Sequence, residues 1–329
     1  MSAASKNSFR PNLEALEDRS VPAVTWHQGY VLPHVMEQNL YLGSQWSTAG
    51  GVQSAKYLLG FSNMLVNSNY MDDMTRAGYG VGRGTALAGS ILNYNLGSRV
   101  TDGQIQYAVQ QAITAGHAYY TGPNMLYVVF VQPHVAVQAA QGETSASGVF
   151  AGYHSYFLGW DATGHQHYIP YAVIPYPGNG ANPTPQTYGY PNEAAEITDV
   201  ASHEIAESVT DPYLNGWYDN RLGEIGDITN NFHQSLNGYN VQLLSNKADQ
   251  PMIVSNSPIY YVGSSGAFVS TDGVHYSRII LPYDHLPVVA TSSPGTDQSM
   301  AQEHTLPFDV FGAAVTELSS RRYGTRPVL

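Results

Sequence analysis

Cysteine is missing from the whole chain of 329 residues. That excludes disulfides, thiolate metal sites and a cysteine nucleophile, so any metal must be held by His, Asp, Glu or water. Charge is also scarce. Asp, Glu, Lys and Arg make up 12% of the sequence, about half the usual share. The 13 Lys and Arg are outnumbered by 25 Asp and Glu and form no block. Nucleic-acid binding is therefore disfavoured, because neutralising phosphates requires clustered cations. No apolar run approaches the ~20 residues that span a bilayer. There is no Gly-x-Ser-x-Gly elbow to mark a serine hydrolase.

What remains is a hydrophobic fraction of 43%, enough for a sizeable core, and a net charge of −12 that favours cations over anions near the surface. Residues 37–46 alternate like a strand, with Leu40 and Leu42 on one face and Trp46 a candidate for the same face. The spacing over 52–66 predicts a helix, broken by Ser68-Asn69-Tyr70. A second helix is expected over 101–115. Thr101 and Gln104 form its capping box, Ile105, Ala108, Val109, Ala112 and Ile113 its buried stripe, and Gly116 its stop. The apolar run 125–131 reads as a strand buried on both faces, and 168–174 as another strand closed by Pro175. After Gly223 the pattern turns to short β-like pieces, including 257–262 and 267–270, with a last helix expected over 308–319. The fold class is α/β or α+β: a mixed central sheet flanked by helices, with a β-rich C-terminal part.

The chemistry concentrates on a helix expected between Asn192, a favourable N-cap, and Pro212, which cannot continue it. It carries His203-Glu204-Ile205-Ala206-Glu207. His203 and Glu207 are four residues apart, so they share one face about 6 Å apart along the axis, and both can converge on one ion. In the His-Glu-x-x-His motif of zinc peptidases, two ligands come from one helix and the Glu beside the first is the general base. Here Glu204 takes the place of that base, and a carboxylate, Glu207, stands as second ligand. Zinc is the expected metal, with calcium or manganese as alternatives because the donors include several carboxylates.

A third protein ligand is required. Glu224 and Asp227 lead, and Gly216-Trp217-Tyr218 with Gly223 suggest a turn that brings them back to the helix. Asp211 follows, although Asp before Pro is an ordinary turn starter. His154, within Gly152-Tyr153-His154-Ser155-Tyr156, is a further candidate, either as a ligand or as the group steadying an oxyanion. Asp227 or Asp199 is expected to orient a ligand, and His233 to face solvent.

Two resemblances add to this. Phe9-Arg10-Pro11-Asn12-Leu13-Glu14-Ala15-Leu16-Glu17-Asp18-Arg19-Ser20-Val21-Pro22-Ala23 resembles an N-terminal motif found on many predicted extracellular proteins of planctomycetes, which implies an export segment over residues 1–24. The stretch Asp199-Val200-Ala201-Ser202-His203-Glu204-Ile205-Ala206-Glu207-Ser208-Val209-Thr210-Asp211-Pro212, then Gly216-Trp217-Tyr218-Asp219 and Gly223-Glu224-Ile225-Gly226-Asp227, resembles bacterial relatives of the phosphate-induced protein 1 (EXORDIUM-like) family. That likeness extends over roughly residues 37–250. It implies a secreted protein of a family whose plant members have no settled enzymatic activity, lack the His-Glu-x-x-Glu residues and carry cysteines.

The sequence thus predicts a metal-binding domain over 25–250 and a β-rich extension over 251–329 packed on it. The leading expectation is a secreted zinc-dependent metallopeptidase acting on a peptide or protein. A non-catalytic extracellular module that holds a structural metal and binds cell-wall polymer or glycan is the alternative. A glycosidase using Glu204 and Glu224 ranks last.

Overall fold

Alternating apolar strands and amphipathic helices organise the chain in the computed structural model, which describes residues 23–254 and three short strands beyond them. In chain order the first half contains β1 (Thr25–Trp26), β2 (His34–Leu42), α1 (Ala49–Val66), α2 (Asn69–Ala77), β3 (Gly82–Ala86), β4 (Ser90–Leu92), β5 (Arg99–Thr101), α3 (Asp102–Thr114) and β6 (Met125–Val131). There follow β7 (Ala136–Gln138), β8 (Tyr153–Trp160), β9 (Gln166–Ile174), α4 (Glu193–Thr210), β10 (Trp217–Asp219), β11 (Gly223–Glu224), β12 (Phe232–Leu236) and β13 (Tyr239–Gln242). Short strands β14 (Leu244–Ser245), β15 (Pro251–Met252), β16 (Ile259–Val262), β17 (Phe268–Ser270) and β18 (His275–Tyr276) close the described chain.

The central sheet runs β3-β2-β6-β9-β8, with β4 also pairing with β2. All its pairs are parallel except β8 with β9, which is antiparallel and lies at one edge. β6 is buried along its whole length, as its unbroken apolar run predicts. Its side chains alternate between two cores. Leu126, Val128 and Phe130 join residues of α1, α2 and α4 on one face. Met125, Tyr127, Val129 and Val131 join the Ile105, Ala108, Val109, Ala112 and Ile113 stripe of α3 on the other. The Thr101–Gln104 capping box is formed as expected. β12, β13 and the C-terminal strands β16–β18 make a separate antiparallel sheet, so the C-terminal region is β-rich.

Two local expectations change. β2 stops at Leu42, and Trp46 sits in a 3-10 turn on the α1/α4 side against Tyr41 and Tyr176, opposite to Leu40 and Leu42. Ser68-Asn69-Tyr70 does end α1, but it also starts α2, because the Ser68 hydroxyl accepts the Tyr70 amide as an N-cap. Residues 1–22 of the expected export segment, and the helix expected over 308–319, lie outside the described residues. Among the described residues no helix is long and apolar enough to cross a membrane.

Candidate metal centre

Helix α4 begins where the sequence places it. Asn192 Oδ1 accepts the Ala195 amide at 2.9 Å, and Glu193 and Glu196 occupy the first turn, where the helix dipole favours acids. Its path through the molecule is less ordinary. Every residue from Ala194 to Thr210 is buried except His203, which is partly exposed. Several polar residues on its packed faces are satisfied locally. The Thr198 and Thr210 hydroxyls donate to carbonyls one turn back, and Ser202 Oγ donates to Asp199 O while accepting the Gln242 amide.

Beyond the first turn, the carboxylates of α4 divide into two groups. Asp199 is enclosed by donors: His233 Nδ1 at 2.9 Å, Asn240 Nδ2 at 2.9 Å and the Tyr190 hydroxyl at 2.7 Å. His233 is therefore buried on β12 and paired, where a solvent-facing loop was expected, because β13 packs on α4 and carries its hairpin partner β12 alongside. Asp199 ties the β12–β13 hairpin to the helix and does not reach the metal-ligating groups.

One turn later, Glu204 and Glu207 meet side chains from two other segments. His154 lies on edge strand β8. Its neighbour Tyr153 faces the α3 side, where its hydroxyl bonds Asp102, so alternation turns His154 toward α4. Gly152, just before β8, lets the strand come close. A Cβ there would sit 2.8 Å from Glu204 Oε1. Glu224 arrives through the β10–β11 hairpin, in which Tyr218 pairs with Glu224 and Asp219 Oδ1 accepts the turn amides of Arg221 and Leu222. The turn expected from the glycines is present, and it delivers Glu224 to the helix.

The distances define the cluster. His203 Nε2 is 3.0 Å from Glu207 Oε2. His154 Nδ1 is 3.6 Å from both Glu204 Oε2 and Glu207 Oε2, and its Nε2 is 3.5 Å from Glu224 Oε1. Asp227 Oδ1 stands farther off, 3.9 Å from His203 Nε2. Donors on one tetrahedral zinc ion with bonds near 2.1 Å lie about 3.4 Å apart, close to most of these separations. Two sets of three can each hold a metal ion, His154–Glu207–Glu224 and His203–Glu204–Glu207, and Glu207 belongs to both. Asp227 belongs to neither set. Its Oδ2 accepts the Glu224 amide, and its own amide donates to Glu207 Oε1. Asp211 lies beside Glu224 but spends Oδ1 on the amides of Asn215 and Gly216, which fits the turn-starter reading.

Electrostatics follow from burying so many acids in one place. Burial pushes Glu204 and, more strongly, Glu224 above the usual carboxylate range. Burial and the Glu207 charge raise Asp227 to about 7. Burial also acts on Glu207, but the His203 charge and hydrogen bond, with His154 and the Asp227 amide, hold it low. For both histidines burial opposes the charged form, and the surrounding carboxylates outweigh it: Glu207 above all at His203, Glu224 at His154. The cluster is a strong sink for positive charge.

Two residues stood outside the chemistry read from the sequence. Gln242 Oε1 is 3.0 Å from His203 Nδ1, and Gln242 Nε2 donates to Gly226 O at 2.6 Å. Gly226 in turn donates its amide to Glu207 Oε1 at 3.1 Å. A Cβ on Gly226 would lie 2.7 Å from His203 Nδ1 and 2.9 Å from Glu207 Oε1, so no larger residue fits against these two side chains. For Gly226 the sequence signal was a glycine next to an acidic pair. For Gln242 there was none, since only the fold brings β13 against α4. Compared with known proteins, the chain matches no family model, no curated protein and no solved structure.

Proposed function

We propose that the protein is a secreted, zinc-dependent hydrolase of metallopeptidase type. The single observation that carries this reading is that two donor sets from three separate chain segments, His154–Glu207–Glu224 and His203–Glu204–Glu207, meet at the shared Glu207 in one largely buried cluster. The donors are imidazole and carboxylate, a set that suits zinc and also manganese, whereas calcium favours sites built entirely of oxygen. His203 Nε2 and Glu207 Oε2 would supply two ligands, and a third would come from the neighbouring set, His154 or Glu224. A bound dication would polarise the scissile carbonyl and acidify water.

The protein's own groups then have defined tasks. Glu204 lies beside His203 on the helix, within 3.6 Å of His154, and its raised pKa suits a group that takes a proton from the attacking water and returns it to the leaving amine. Glu207 Oε1 is held by two backbone amides, which leaves Oε2 as the oxygen that would take an ion. If His154 is not a ligand, its imidazolium is placed to steady developing negative charge. Export rests on the N-terminal resemblance, and the EXORDIUM-like resemblance adds to the extracellular reading.

A second reading has its own observation in favour. The cluster joins β8, α4 and the Gly223–Asp227 turn, so an ion there would also fasten the fold of a non-catalytic module that binds cell-wall polymer. One experiment separates the two. Zinc content is measured on the purified protein, and cleavage of a mixed peptide library is followed with wild type and Glu204→Gln. One equivalent of zinc, with cleavage abolished in the variant, supports the hydrolase. Zinc with no cleavage by wild type moves the conclusion to the structural module, and absence of zinc uptake removes both.

A further inference from the structure

We infer that Gln242 is a positioning residue of the metal centre: its side-chain amide fixes His203 to present Nε2 to the ion and, through the Gly226 peptide, aligns Glu207 in the same step. The amide's orientation follows from its partners. Gln242 Nε2 donates to the Gly226 carbonyl at 2.6 Å, and a carbonyl can only accept, so the nitrogen must lie on that side. The oxygen then faces His203 Nδ1 at 3.0 Å, and Nδ1 must carry the proton. Nε2 is left as the nitrogen for the metal, and it is the one 3.0 Å from Glu207 Oε2.

The relay closes on the second ligand. The peptide group whose carbonyl takes Gln242 has its near neighbour, the Gly226 amide, on Glu207 Oε1 at 3.1 Å, with the Asp227 amide beside it at 3.2 Å. His203, Gln242, Gly226 and Glu207 form a ring in which each member sets the angle of the next. Gln242 is itself held from both ends. Its backbone N–H donates to Ser202 Oγ at 2.9 Å, and its backbone carbonyl accepts the buried Tyr70 hydroxyl at 3.0 Å. A side chain so fixed has little freedom to lose when the ion binds, and outer partners of this kind typically carry about 10- to 100-fold in metal affinity.

The inference rests on the metal reading above, and its test keeps the two apart. Zinc affinity is measured by chelator competition on the full chain for wild type, Gln242→Met and Gln242→Glu, and the zinc-bearing nitrogen of His203 is identified by 15N NMR. Met keeps the shape and removes both hydrogen bonds. A protonated Glu can accept from Nδ1 and donate to Gly226 O. The expected result is a 10- to 100-fold loss in Gln242→Met, with zinc no longer confined to Nε2, and recovery to about threefold of wild type in Gln242→Glu. A folded Gln242→Met that binds zinc like wild type through Nε2 overturns the inference alone. If Gln242→Met does not fold, a folded Gln242→Glu that has lost zinc overturns it, and one that keeps zinc supports it. Failure of wild type to take up zinc overturns the metal reading and this inference together.

Discussion

Asp199 and Glu204 lie little more than one turn apart on the same buried helix, yet their surroundings have opposite logic. Asp199 is met by an imidazole, an amide and a phenol, all within 2.9 Å and all aimed at its two oxygens. Glu204 is met by another carboxylate on its own helix and by a histidine 3.6 Å away that is shared with Glu207 and Glu224. The first arrangement spends every donor on one acid and leaves nothing for a ligand. The second crowds several acids around two imidazoles, with Glu207 3.0 Å from His203 and three further carboxylate contacts at 3.5–3.6 Å from His154. A buried acid is thus not in itself a sign of function; what distinguishes the two is whether the protein spends enough donors on it.

The largest effect that tests this contrast is on stability. Asp199→Ala leaves His233, Asn240 and Tyr190 buried around a missing acceptor, and its expected cost is about 3–5 kcal/mol in urea unfolding. A loss below about 1 kcal/mol would show that the donors had never been committed to Asp199.

Next in size is a third kind of buried acid, one with neither sufficient donors nor a cluster. Glu37 sits on β2 inside the α1 face of the sheet, and burial, only partly offset by the Ser62 hydroxyl, raises it to about 7. Below pH 4.5 the acid is protonated in both folded and unfolded chains and shifts nothing. Between 4.5 and 7 the unfolded chain ionises while the folded one keeps its proton, so stability falls as pH rises through that window. The loss is roughly 3 kcal/mol and levels off above 7. Urea unfolding at pH 5 and pH 8 should show that fall in wild type and a clearly smaller one in Glu37→Gln. Equal falls in both would place the pH dependence elsewhere.

How much of this was legible in the sequence depends on the distance over which each feature is determined. Periodicity and caps are local, so β6, the stripe and capping box of α3, and the start of α4 at Asn192 were all readable. His203, Glu204 and Glu207 were readable because helical spacing alone puts them together. Glu224 required a turn, and its glycines announced one. His154 was named without a place, since nothing local tells which face of an edge strand meets a helix formed later in the chain. Asp227 was expected as a ligand, and the fold sets it to the side, where its amide holds Glu207. His233 and Gln242 could not be read, because their roles exist only once the β12–β13 hairpin lies on α4. Trp46 was assigned by continuing the alternation of β2 past Gly43, whose φ of 121° ends the strand and turns the chain to the other face.

The cluster's response to zinc is of similar or slightly smaller size. Free zinc at 100 times its dissociation constant should add about 2.7 kcal/mol to the unfolding free energy. That gain should vanish in His203→Ala and in Glu207→Gln, which belong to the ligand sets. It should also vanish in Gly226→Ala, where the added methyl displaces His203 and Glu207 together. Asp199→Asn should keep it, since that side chain touches no ligand. If Asp199→Asn lost the zinc effect while remaining folded, the two groups of acids on α4 would be one coupled unit.

The smallest effect is the most informative about chemistry. Glu204→Gln without metal removes a buried like charge from beside Glu207 and keeps the side chain's size, so stability should stay within about 1 kcal/mol of wild type or rise. If Glu204 is the proton carrier, the variant should also bind zinc about as tightly as wild type, since His203, Glu207 and the third ligand are intact, and only hydrolysis should disappear. If zinc affinity falls with it, Glu204 belongs to the coordination sphere, as its grouping with His203 and Glu207 allows. The base would then have to be sought among the other acids of the cluster, with Glu224, 3.5 Å from His154, first. Zinc affinity and peptide cleavage measured on the same Glu204→Gln preparation decide between these assignments.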